Sequence, residues 1–113
     1  MLTNEMTDKE LLELAAKAAG YRIKRKSRDY GLVIWNEKSE PIFWNPLTED
    51  GDALRLAVKL HMCLDTFDVD EKEHTVAWKT LSNECRENHN DDPYTATRRA
   101  IVRAAAEIGK EMK

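Results

Sequence analysis

Glycine is scarce in this chain, with four in 113 residues, and they stand far apart at positions 20, 31, 51 and 109. No glycine-rich phosphate loop is available from that spacing. His-Glu-x-x-His, Cys-x-x-Cys and Gly-x-Ser-x-Gly are missing too, so no cofactor and no metal site are expected and the chain reads as a non-enzyme. The histidines His61, His74 and His89 fall in three different elements. Cys63 and His61 are two residues apart and would face different sides of a helix, which does not suit a thiolate and its base. Two cysteines, Cys63 and Cys85, are too few for a disulfide framework and lack metal-ligand spacing, so both are expected as free thiols in a reducing compartment. No apolar run approaches the roughly 20 residues of a membrane span, and no basic segment followed by an apolar one opens the chain. The expectation is a soluble protein without membrane contact. Neither charge sign dominates: 18 Lys and Arg stand against 21 Asp and Glu, for a net charge of −3. That field repels nucleic acid overall, although a local basic patch can still act.

What is present suits one compact domain over residues 1–113: 42% hydrophobic and 35% charged residues, enough to form a core. Residues 1–5 add nothing to the first cap and read as a frayed extension. Thr7 and Glu10 form a capping box, Met6 and Leu11 a hydrophobic staple, and Gly20 a left-handed stop, which predicts a helix over 8–19. From Tyr21 the period becomes two. Strands are expected over 21–26, 32–35 and 42–44 as an antiparallel meander. Asn45-Pro46 must leave the sheet, because proline has no amide hydrogen for the ladder. A second helix then starts among the carboxylates Glu49, Asp50 and Asp52, with Leu54, Ala57, Val58 and His61 on one face. Residues 62–68 and 74–79 suit two further strands around an acidic turn, although Met62 to Asp65 could equally prolong the helix. Residues 80–91 read as an exposed loop. Asp92 and Pro93 cap a last helix over 93–111 whose stripe is Ala96, Ala100, Ile101, Ala104, Ala105 and Ile108. The predicted fold is α+β, a single domain with one antiparallel sheet of four to five strands and three helices, in the order α-β-β-(β)-α-β-β-α.

Binding chemistry is concentrated in three places. Arg22, Lys24, Arg25, Lys26 and Arg28 put five cations into seven residues, and strand period places Arg22, Lys24 and Lys26 on one face with Ile23 inward. Such a face can follow phosphates, or it can simply be an edge strand protected by lysine. Arg98 and Arg99 lie near the start of the last helix, with Arg103 four residues past Arg99 and Glu107 four further on, the pattern of a solvated salt-bridged face. Trp35, Trp44 and Trp78 sit near strand ends, and Trp35 and Trp44 beside a basic strand would suit stacking on a base or anchoring in a partner, against core packing. The acidic turn of Asp68, Asp70, Glu71 and Glu73 lacks the order and the glycine of a calcium loop and reads as a solvated or partner-facing surface.

The stretches Trp44-Asn45-Pro46-Leu47-Thr48-Glu49-Asp50-Gly51-Asp52 with Ala53 to Val58, and Asp91-Asp92-Pro93-Tyr94 through Arg98-Arg99-Ala100 to Gly109, with Met6 to Gly20, carry a resemblance. The chain resembles small tailed-phage and prophage proteins of the phage αβα-sandwich and NinX-like group. That resemblance implies a phage accessory protein made in the cytoplasm of a bacterial host, and it carries no catalytic residues across. The expected function is a non-enzymatic binder that interferes with antiviral defence. It would dock on a host protein, for example as an anti-CRISPR inhibitor, or sequester a nucleotide signal with arginine and tryptophan. The alternative is a nucleic-acid-binding regulator using the strand 22–28, with only weak DNA affinity expected from so short a patch.

Overall fold

The computed structural model describes residues 6–27, 31–69, 72–80, 83–90 and 92–112. Residues 1–5 of the expected extension, and Arg28, Asp70 and Glu71 among the expected binding residues, lie outside them. The elements are α1 (Asp8–Ala19), β1 (Ile23–Lys26), β2 (Leu32–Trp35), β3 (Pro41–Trp44), α2 (Asp50–Lys59), β4 (Cys63–Val69), β5 (Lys72–Trp78), β6 (Cys85–Asn88) and α3 (Pro93–Glu111). The class is α+β with three helices and antiparallel strands, as the sequence predicts. The strand count and the sheet differ: β1-β2-β3 form one three-stranded sheet and β4-β5-β6 a second.

Local chemistry explains the helix ends. The Thr7 hydroxyl accepts from the Glu10 amide while the Glu10 carboxylate accepts from the Thr7 amide, and Gly20 closes α1 at φ 77°. Asp92 accepts from the amides of Tyr94 and Thr95 at the start of α3, where Pro93 stands at the first position. Both signatures use neighbours in sequence, so both are readable there. Three other expectations are corrected. Residues 80–91 are not simply a loop, because 85–88 pair with β5 as β6. The run Cys85-Arg86-Glu87-Asn88 is polar because Glu87 is held by Arg99 and Arg103 of α3 while Cys85 enters the core. On α2 the buried face is Ala53, Leu56 and Ala57, continued by Leu60 at the cap, whereas Leu54 and Val58 are 60% and 65% exposed. His61 lies past the helix end at φ 56°, and β4 begins at Cys63.

The helix α3 touches α1, α2, β5 and β6. Alanines at 100, 104, 105 and 106, with Ile101 and Val102, let so many neighbours approach it closely. The helices α1 and α3 run in the same direction, since Asp8 pairs with Arg99 and Lys17 reaches the Met112 carbonyl at 2.8 Å. Between these points a Cβ on Gly109 would lie 2.9 Å from the Leu14 carbonyl carbon and closer still to its oxygen. One apolar cluster joins everything: Leu32, Ile34 and Trp44 from the first sheet, Ala77 and Cys85 from the second, and residues of all three helices. Cys63 and Cys85 sit on strands either side of β5, opposite Trp78 and Ala77, so they face opposite sides of the sheet. That placement leaves both thiols free, and burial pushes the Cys85 thiol above its ordinary value.

Candidate functional site: a positive cleft beside the first sheet

The site begins where α1 ends. Gly20 turns the chain left-handed, and the Trp35 amide then donates to the Arg22 carbonyl at 3.0 Å, fixing Arg22 beside Trp35. The Arg22 guanidinium lies 5.8 Å and the Lys24 ammonium 5.3 Å from the centre of the Trp35 indole. Two of the three predicted strand cations therefore meet on the predicted tryptophan. Lys26 does not join them. The pairing skips from Ile23 opposite Ile34 to Arg25 opposite Val33, a bulge that reverses the alternation and turns Lys26 toward α1. There it pairs with Glu13 at 2.7 Å. Ile23 lies opposite Ile34, on the face expected for it, but on the edge strand it stays 38% exposed.

Beside Trp35 a cleft of about 510 Å³ opens between β2, β3 and α2. Its apolar lining is Tyr21, Ile34, Ile42 and Trp44, and its cations Arg22, Lys38, Arg55 and Lys59 outnumber the carboxylates Glu37, Glu40 and Asp52 by one. A smaller recess of about 370 Å³ adjoins it, sharing Trp44, Asp52 and Arg55. The junction after β3 sets the shape. The Asn45 side chain accepts from the Leu47 amide at 3.1 Å, and the Asn45 amide donates to Asp52 at 2.9 Å, which ties the start of α2 to the end of β3. Asp52 also takes Arg55 at 2.8 Å. Gly31 is required here: at φ 82° its Cβ would lie 2.7 Å from the Trp44 carbonyl oxygen.

Charge in the cleft is uneven. Asp52 is paired with Arg55, and the Glu40 carboxylate, which keeps its charge, accepts from the Asn36 side-chain Nδ2 at 3.3 Å. Among the described residues Arg22, Lys24, Lys38 and Lys59 form no ion pair, and Lys59 instead lies 4.6 Å above the Tyr21 ring. Burial pushes the Tyr21 hydroxyl up, with Arg55 opposing and Asp52 and Glu37 reinforcing, so the phenol stays neutral.

The remaining predicted residues are placed elsewhere. Trp44 is 3% exposed and packs edge-on against Tyr21 at 5.4 Å, so its body is core and it is no free stacking platform. Arg98 donates to the Leu47 carbonyl at 2.8 Å and to Asp50, and clamps α3 to the entry of α2. Arg99 pairs with Asp8 and Glu87. In the acidic turn Asp68 lies opposite Glu73 on an exposed hairpin, and Glu73 approaches His89 at 3.2 Å. That contact opens a polar chain with no signature in the sequence. The His89 ring reaches the Thr75 hydroxyl at 2.6 Å, and Thr75 reaches Thr97 of α3 at 2.8 Å. An acid, an imidazole and a hydroxyl in line have the order of a catalytic relay, but Thr75 has no exposed surface for a substrate to reach. The chain of contacts pins β5, β6 and α3 together. Lys38 is likewise silent in the sequence, and Arg55 and Lys59 are legible there only as an i,i+4 pair on the second helix, with nothing to link them to the strands.

No three His, Cys, Asp or Glu side chains converge to hold a metal ion among the described residues, and no helix there is long and apolar enough to cross a membrane. A scan of protein-family models, a search of curated proteins and a search of solved structures each return no match to this chain.

Proposed function

We propose that this protein is a non-enzymatic binder that disables a host process by holding a phosphate-bearing host factor on the positive surface of Arg22, Lys24 and Trp35. One observation supports the reading most: two cations that form no ion pair among the described residues stand over a single indole, in a chain whose net charge is −3. Both cations are exposed and gathered at one place, so they can donate to a phosphate together. The resemblance to phage accessory proteins supplies the setting, the cytoplasm of a bacterial host and interference with its antiviral defence. Sequestration of a nucleotide signal fits this surface better than docking on a defence protein through charge mimicry, because the side chains gathered here are an indole and cations rather than carboxylates.

The rival, a nucleic-acid-binding regulator, needs a run of phosphate contacts along the strand. Lys26 is committed to Glu13, which shortens the run among the described residues to Arg22, Lys24 and Arg25. About three contacts give an affinity that collapses with added salt. Titrating the protein at low and near-physiological salt against duplex DNA, single-stranded DNA and nucleoside triphosphates separates the two. The expected result is triphosphate binding that persists at the higher salt, DNA binding that does not, and loss of both in the Arg22→Glu, Lys24→Glu variant. Tight DNA binding at near-physiological salt would move the regulator ahead.

A further inference from the structure

We infer that the cleft between α2 and strands β2 and β3 is a nucleoside-phosphate site, with the base on its apolar floor and the phosphates among its cations. The inference rests on the phosphate-binding reading above and adds the position and the chemical class of the ligand.

The argument is one of mixed surface. Ile42 is 40% exposed and lines the cleft above the buried Ile34 and Trp44, so its apolar side chain is left in contact with water in a concave place. A purely inorganic anion would leave that floor wet. A purely apolar ligand would strip water from Lys38 and Lys59, which form no ion pair among the described residues. The ligand must therefore carry a flat or apolar body and concentrated negative charge in one molecule. A cleft of about 510 Å³ lies within the range of roughly 300–1,000 Å³ usual for small-molecule sites, and the adjoining recess gives room for the body to extend. An acidic peptide has the same two properties, but its chain spaces successive residues by about 3.3–3.6 Å and spreads the charge along its length. Adjacent phosphates concentrate it, which suits a cleft where Arg22, Lys38 and Lys59 stand together and Asp52 is already taken by Arg55.

Calorimetric titration of the whole chain with a nucleoside triphosphate, the corresponding nucleoside and inorganic tripolyphosphate tests this at near-physiological salt. The triphosphate should bind at least about tenfold more tightly than either fragment probe. Ile42→Ser removes the apolar floor without altering charge at an exposed position, so it should bring the triphosphate down to the tripolyphosphate value and leave tripolyphosphate unchanged. Lys59→Ala should weaken both phosphate ligands, and Lys72→Ala, exposed on the hairpin of the second sheet, should weaken neither. Equal binding of triphosphate and tripolyphosphate, unmoved by Ile42→Ser, would overturn the nucleoside site and leave the phosphate-binding reading standing. Absence of binding by both would overturn the two together.

Discussion

Gly109 shows how much a single hydrogen atom can decide. In an exposed helix, replacing glycine by alanine stabilises by about 1 kcal/mol through backbone entropy and propensity. At this position the added carbon would run into the backbone of α1 at Leu14, and backbone cannot step aside as a flexible side chain can. Gly109→Ala should therefore destabilise, by about 1–3 kcal/mol, with the sign opposite to propensity. A fall in the urea midpoint with an unchanged slope checks it. Nothing around position 109 in the sequence announces this requirement, because its cause lies far back along the chain in α1. The same distance hides the roles of the arginines. Arg98 and Arg99 read as surface residues until Asp50 and Asp8, 48 and 91 residues away, come alongside. Arg22, Lys24 and Trp35 are legible because adjacent antiparallel strands bring them together within a hairpin.

The elements divide along similar lines. Helices α1 and α3 are readable to the residue, since a capping box and an Asp-Pro start are statements about a few consecutive residues. Both caps depend on ionised carboxylates. Hydrogen bonds from the Thr7 amide and hydroxyl hold the Glu10 carboxyl below its usual range, and the Thr95 hydroxyl and amide, with the Tyr94 amide, do the same for Asp92. A carboxyl whose value is lowered on folding contributes stability above the ordinary carboxylate range and loses it as pH falls through the lowered value. Stability should thus decline between about pH 5 and pH 2. The Glu10→Gln, Asp92→Asn double variant keeps both side-chain acceptors and should show a flatter decline in denaturant midpoints over the same interval. The helix α2 is harder to read. Its apolar residues Leu54 and Val58 face water, whereas the smaller Ala53 and Ala57 face the core with Leu56, so hydrophobicity alone points to the wrong side. Strand β6 is hidden for the complementary reason: its carboxylate Glu87 is partnered by arginines the local sequence does not mention.

At the scale of the molecule, two sheets with no strand pairing between them share one core. Leu32 and Trp44 belong to the same buried cluster as Ala77 and Cys85, which should make unfolding a single event. Trp78→Phe leaves Trp35 and Trp44 as fluorescent reporters of the first sheet alone, while far-ultraviolet circular dichroism follows the helices. Coincident transitions are expected, and separate ones would mean that the first sheet melts by itself. The parallel pairing of α1 with α3 has a further consequence, in time rather than in energy. A helix of 12 residues is marginal alone in water, and the partner that stabilises α1 comes from the other end of the sequence. Contacts that span so much chain are made late and slowly, so α1 should remain unformed through most of folding and dock last, onto an α3 already seated against the second sheet. Destabilising substitutions in α1 should accordingly accelerate unfolding and leave the refolding rate nearly unchanged, and the chain should collect its first helix only after its last.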